Sequence, residues 1–203
     1  MPLAFLIQVV RQMDNREKFT RSIDFTLHWE GGRNFTVKDG LPVLNPAAKN
    51  DPGGATAYGI TSLTLKAAHM AGIVHHADIC RLTVDEAKEI YRANYWDKYG
   101  WGQIEWPACM CCFDCSVNHG NFALILQRAA NDCGSPCVID GIFGPKTFAA
   151  LKSCDPLILS AAIYRRRKEY YNKLIARNPK QEIFRKGWFN RANDMAKVAG
   201  VLS

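Results

Sequence analysis

Phe19-Thr20-Arg21-Ser22-Ile23-Asp24-Phe25-Thr26-Leu27-His28-Trp29-Glu30-Gly31-Gly32 is the stretch that decides the fold. Phe19, Ile23 and Leu27 recur every four residues, so Glu17 to Glu30 reads as a helix with one apolar face. Gly31-Gly32 then stops it, because glycine readily takes the left-handed conformation that ends helices. Glu30 thereby becomes the last side chain of an anchored rod, facing whatever lies beyond the helix end. A carboxyl fixed next to open space has the placement a catalytic acid needs. A helix C-terminus is also a poor place for an anion, which favours retention of a proton there.

Most of the remaining chain repeats the helical pattern. Ser62 is placed to cap a helix through Met70, with Gly72 ending it, and Thr83-Val84-Asp85-Glu86 is a capping box. Phe113 to His119 and Phe122 to Asn131 read as two short buried helices broken at Gly120. Asp155 caps a long helix with Pro156 in its first turn, running to Arg177 before Asn178-Pro179. A last amphipathic helix is expected over Trp188 to Val198. Leu3 to Val10 is apolar apart from Gln8 and reads as an amphipathic first helix. It lacks the basic leader and small-residue cleavage site of a secretory signal. The exception to the helices is Phe35-Thr36-Val37 and Leu41-Pro42-Val43-Leu44, which flank the hairpin dipeptide Asp39-Gly40. Pro42 confines the second arm to an edge. The expected fold is mainly α with one small β-hairpin.

Composition narrows the partners. No run approaches the ~20 apolar residues a membrane span requires, so no stable membrane insertion is expected. The net charge of +7 favours anionic partners without choosing among them. Tyr164-Arg165-Arg166-Arg167-Lys168-Glu169-Tyr170-Tyr171 is the main basic stretch, and on a helix its four cations read as a solvated surface. No nucleic-acid-binding motif accompanies the charge, so no nucleic acid is expected. Eight cysteines stand at 80, 109, 111, 112, 115, 133, 137 and 154. Cys112-x-x-Cys115, Cys133-x-x-x-Cys137 and His119 have spacings usable by zinc, and the even count fits disulfides in an oxidising compartment. The interleaving of Cys111, Cys112 and Cys115 with Phe113 and Val117 favours buried thiols instead. No metal and no cofactor are expected.

A second motif supplies the chemistry. Asp51-Pro52-Gly53-Gly54-Ala55-Thr56-Ala57-Tyr58-Gly59-Ile60-Thr61 sets a carboxylate and a hydroxyl in a glycine-rich turn. Glycosidic cleavage needs one group to protonate the leaving oxygen and another to handle water or the developing cation. Glu30 suits the first role, its proton retained by burial against Trp29 and Phe35. Asp51 suits the second, with Thr56 bonding the same water, although an Asp before Pro-Gly-Gly also serves simply to cap a turn. Tyr58, Trp96, Tyr99 and Trp101 are candidate platforms along a saccharide cleft. Asp114 and Asn118, at helical spacing, are placed to bond each other or nearby backbone. Gly53, Gly54 and Gly59 shape the backbone.

Glu30-Gly31-Gly32, followed by Asp51-Pro52-Gly53-Gly54-Ala55-Thr56 and Tyr58-Gly59-Ile60-Thr61, resembles glycoside hydrolase family 108, muramidases found among phage and prophage endolysins. The second half is similar to the small helical peptidoglycan-binding domain that follows in such proteins. Its matching pieces are Phe113-Asp114, Val117-Asn118, Leu126-Gln127-Arg128-Ala129, Asp140 to Thr147, and Gly187-Trp188-Phe189-Asn190-Arg191. Family members place the glutamate and the Asp-Pro-Gly-Gly run closer together, so Phe35 to Leu44 reads as an insertion between them. The resemblance implies a lysozyme-like helical fold, with a hydrolase region over 17–108 and a wall-binding region over 109–200 packed as one unit. It implies hydrolysis of the bond between N-acetylmuramic acid and N-acetylglucosamine, with peptidoglycan glycan strands as partner and the chain a monomer. Glu30, Asp51 and Thr56 take the catalytic positions, and Asn118 joins Tyr58, Trp96 and Trp101 as substrate contacts. Storage in the host bacterial cytoplasm and action at periplasmic peptidoglycan follow from the same resemblance. A lytic transglycosylase and a non-catalytic wall-binding module are the competing readings.

Overall fold

The computed structural model describes residues 13–46 and 54–203. Asp51, Gly53 and the helix expected over Leu3 to Val10 lie outside the described residues. The first helix, α1 (Asn15–Glu30), begins where the Asp14 carboxylate accepts the Glu17 N–H at 2.8 Å, and it ends at Gly31 with φ 77°. Its inner stripe is Lys18, Phe19, Ser22, Ile23 and Thr26. Leu27, expected on that face, is only half-buried, because Thr26 turns inward to bond a buried carboxylate described below.

The hairpin forms around the expected turn. Strands β1 (Phe35–Lys38) and β2 (Leu41–Leu44) pair antiparallel with Phe35 opposite Leu44, around Asp39 and Gly40 at φ 51° and 77°. A second short ribbon, β3 (Thr56–Ala57) and β4 (Ile60–Thr61), turns through Tyr58 and Gly59, again both at positive φ. Two-residue turns with both residues left-handed match the right-handed twist of the flanking strands.

Helices complete the molecule: α2 (Ser62–Met70), α3 (Val84–Tyr91), α4 (Ala108–Asn118), α5 (Phe122–Asp132), α6 (Pro145–Lys152), α7 (Pro156–Arg177) and α8 (Arg185–Val198). Thr61, not Ser62, caps α2, its hydroxyl accepting the Thr64 N–H. The Thr83–Glu86 capping box and the Asp155 cap form as expected. The fold is mainly α. No helix among the described residues is long and apolar enough to cross a membrane.

Helix α4 is the centre. Every residue from Ala108 to Ser116 is buried, including Cys109, Cys111, Cys112 and Cys115. It packs against α1 on one side and α7 on the other, so the N-terminal and C-terminal halves share one core. Phe113 meets Phe19 and Trp96 with ring centroids 6.2 and 5.5 Å away. Trp101 joins Tyr99, Phe122 and Phe143 in a second aromatic cluster.

Candidate active site

Glu30 closes α1 with its side chain about 21% exposed. One oxygen, Oε1, accepts from Arg191 Nη1 of α8 at 2.8 Å. The sequence suggested an apolar pocket of Trp29 and Phe35; the carboxyl meets a guanidinium instead. The other oxygen, Oε2, lies over the Tyr58–Gly59 turn, where a Cβ built on Gly59 would come within 2.9 Å of it. Only a residue without a Cβ fits there.

That turn is held to the end of α1 by backbone and side-chain bonds. Tyr58 N–H donates to Gly32 O, Asn34 N–H donates to Thr56 O, and Thr56 N–H donates to Asn34 Oδ1 at 2.8 Å. Asn34 Nδ2 also donates to Gly54 O. A few residues after Glu30 therefore clamp the Gly54–Gly59 strand beside it, which brings Thr56 and the half-buried Tyr58 into its neighbourhood. Tyr91, the last residue of α3, donates its phenol to Tyr58 O at 3.1 Å.

After Tyr91 the chain winds as a π-helix over Arg92–Asp97. Such widened turns are frequent at functional sites. Here it follows Tyr91 and contains Tyr95, and the two ring centroids are 5.9 Å apart. Burial and then the Glu30 carboxylate push the Tyr91 phenol above its ordinary value, keeping it a neutral donor. Burial, Tyr99 and Glu30 raise Tyr95 likewise. The helical pattern after Thr83 places Tyr91 inward with Ala87 and Ile90, as found, but nothing local marks it or Tyr95 as a neighbour of Glu30.

Behind Glu30 lies a buried charge network. Arg191 donates Nε and Nη2 to Asp114, with Nη2–Oδ1 at 2.6 Å. Asp114, wholly buried on α4, also accepts from Arg167 Nη1 of α7 at 2.6 Å and from Thr26 Oγ1 of α1 at 3.1 Å. Burial by itself would raise the proton affinity of Asp114; Arg191 and Arg167 more than reverse this and hold it well below the usual carboxylate range. Two guanidiniums thus face two carboxylates.

Several expectations are corrected. Trp96 and Trp101 are about 1% and 0% exposed, so neither offers a face to a glycan; they fill the aromatic clusters of the core. Trp96 Nε1 donates to Asn15 Oδ1 and Trp101 Nε1 to Ser116 Oγ, which satisfies each indole inside. Arg167 is not part of a solvated face but is fully buried on Asp114, while Arg166 pairs with Asp132 and Glu169. Asn118, by contrast, stays half-buried, and its amide oxygen accepts from Arg167 Nη2 and Tyr171 Oη, each at 3.3 Å, which ties it to the network. Asp51 lies outside the described residues.

A groove of about 900 Å³ away from Glu30 is lined by Cys137, Val138, Ile142, Lys146 and neighbours in the C-terminal half. Val138 and Ile142 are exposed apolar side chains there. Among the described residues no cluster of His, Cys, Asp and Glu has a metal-holding arrangement.

Comparison with known proteins fits this geometry. Residues 23–120 match the glycosyl hydrolase 108 family, and residues 121–193 match a family described as a predicted peptidoglycan domain. Among solved structures, SagA of Brucella abortus superposes with a TM-score of 0.65 at 26% identity, over 93% of this chain and 97% of that one. No curated protein sequence matches. The glutamate and the arginine that holds it fall in the two different family regions.

Proposed function

We propose, for a chain that belongs to the glycosyl hydrolase 108 family, that it is an endolysin-type lysozyme hydrolysing the bond between N-acetylmuramic acid and N-acetylglucosamine in peptidoglycan. The observation that carries this reading is the placement of Glu30: a rigid helix-end carboxyl with Oε1 anchored and Oε2 facing the Gly59 turn. Oε2 is then the atom that delivers a proton to the leaving glycosidic oxygen, the general-acid step of such cleavage. Thr56, held on the clamped strand beside Glu30, and Asp51 take the water-holding role. Tyr58, Tyr91 and Tyr95 form the polar aromatic surround of the acid. The match of 121–193 to a peptidoglycan domain supports wall attachment by the C-terminal half, where the Val138–Ile142 groove offers an apolar surface. The basic charge suits action at an anionic envelope, reached from the host cytoplasm.

Product analysis of digested, purified peptidoglycan is the test. Hydrolysis yields muropeptides with new reducing ends and one added water per cut, and Glu30→Gln abolishes their release. Anhydro products would assign a lytic transglycosylase instead. Sedimentation with walls and no released fragments would leave only a binding module.

A further inference from the structure

The bond network behind Glu30 assigns work to the C-terminal half beyond attachment. Arg191 has its guanidinium divided between two carboxylates: Nη1 on Glu30 Oε1, Nε and Nη2 on Asp114. Its side chain is almost wholly buried. Asp114 is fixed in turn by Arg167 and Thr26, so the fork cannot swing without breaking bonds to two helices, α1 and α4, the second of them tied to α7 through Arg167. A planar guanidinium bonded on two edges is a rigid object, unlike an ammonium on a flexible stem. We propose that Arg191 is the positioning residue for the catalytic acid: it fixes which oxygen of Glu30 faces substrate and stabilises the carboxylate left once the proton has gone. The inference rests on the hydrolase reading above.

The charge arithmetic supports the second part. Without a negative charge on Glu30, the buried group holds two guanidiniums against one carboxylate. Loss of the Oε2 proton to the leaving oxygen creates the second carboxylate where the uncompensated cation already stands. The O–H bond of Glu30 breaks, the glycosidic oxygen gains the proton, and the new anion is met by an existing hydrogen bond with no reorganisation. The ionisable groups around Glu30 are Arg191 of α8, Tyr91 of α3, Tyr95 of the π-helix and Tyr58 of the neighbouring turn, with Asp114 of α4 and Arg167 of α7 behind Arg191.

The experiment follows reducing-end release from purified peptidoglycan by wild type, Glu30→Gln, Arg191→Gln and Arg191→Lys across pH 4 to 9, with thermal melts to establish folding. In Arg191→Gln the kcat falls by roughly 10²-fold through lost orientation while KM changes little. Arg191→Lys keeps a cation but not the fork, so it restores only part of that loss. In wild type, the guanidinium Nη ¹⁵N resonances of Arg191 are separate and not averaged, as a fork held on two carboxylates requires, a readout that needs no variant to fold. Unchanged kcat in a folded Arg191→Gln, full activity in Arg191→Lys, or averaged Nη resonances overturns the positioning role alone. An inert wild type, or an active Glu30→Gln, overturns the hydrolase reading instead.

Discussion

Gly59 lies directly against Glu30: a methyl group at Gly59 would stand 2.9 Å from Glu30 Oε2 and 3.1 Å from Glu30 Cβ, and would collide with the Tyr91 hydroxyl. The residue also has φ 75°, which disfavours any side chain by about 1–2 kcal/mol. Gly59→Ala is therefore expected to displace the carboxyl and lower kcat on purified walls by on the order of 10²-fold. The accompanying loss of thermal stability should be modest. Retention of wild-type kcat would show that Oε2 is not the oxygen presented to substrate.

Asp114 is a weak point for mutation because it is a fully buried carboxylate. Asp114→Asn leaves Arg167 and Arg191 buried without the carboxylate they share, and only Arg191 keeps another one, Glu30. Breaking a buried pair by removing one partner costs about 3–5 kcal/mol. At about 2–4 °C per kcal/mol for a chain of this size, the melting temperature should fall by roughly 10 °C. The pH sign follows from its depressed proton affinity in the fold. Its contribution is complete above the unfolded value of ~3.9 and is lost as pH falls from there toward the folded value. The gap between acid melts of wild type and Asp114→Asn should consequently begin to narrow below about pH 4 and still be open at about pH 3.

How far this site was readable from sequence depends on the range of the forces that make it. The end of α1 at Gly31, the Thr83–Glu86 box and the Asp155-Pro156 start of α7 are settled by residues within one turn of each other, and they stand where local chemistry puts them. The hairpin likewise follows from Asp39-Gly40. Arg167 and Arg191 are different. Among Arg165, Arg166, Arg167 and Lys168, helical geometry alone does not say which cation turns inward; its partner on α4 decides. A signal did exist. Asp114 sits in a run of Cys, Met and Phe too apolar to be solvated, and a buried carboxylate demands a cation. Trp96 and Trp101 erred the opposite way, since an indole serves a core and a sugar platform equally well, and only packing separates them.

His119 provides a second pH handle. It is buried against Tyr170 and Tyr171, with Nε2 3.3 Å from the Tyr171 hydroxyl. Burial first, and Arg167 second, hold its proton affinity well below the ordinary histidine value. The unfolded chain therefore binds a proton there below about pH 6.5 that the folded chain refuses. Stability should rise with pH up to about 6.5 and level off above, the slope from this residue reaching about 1.4 kcal/mol per unit. Urea melts at pH 5 to 8 should show that slope in wild type and a reduced one in His119→Phe. A flat wild-type profile would mean that His119 charges without unfolding.

The thiols of α4 give a direct check on the core. Burial pushes Cys109, Cys111 and Cys115 up to about 12, and Cys112 well above its ordinary value. At pH 8 a thiol of that acidity is ionised in only about one molecule in ten thousand, and the thiolate is the reactive form. Cys80, Cys133, Cys137 and Cys154 are half-buried instead, on the periphery. Iodoacetamide at pH 8, followed by mass spectrometry of each cysteine peptide, should find the α4 thiols unmodified in the native protein and modified after urea. The peripheral four should react first, Cys133 slowest among them because burial and the neighbouring Cys154 raise it as well. Rapid alkylation of Cys111 or Cys112 in the native state would mean that α4 opens readily. In that case the Asp114 network it carries would not be rigid enough to hold Arg191, and through it Glu30, in place.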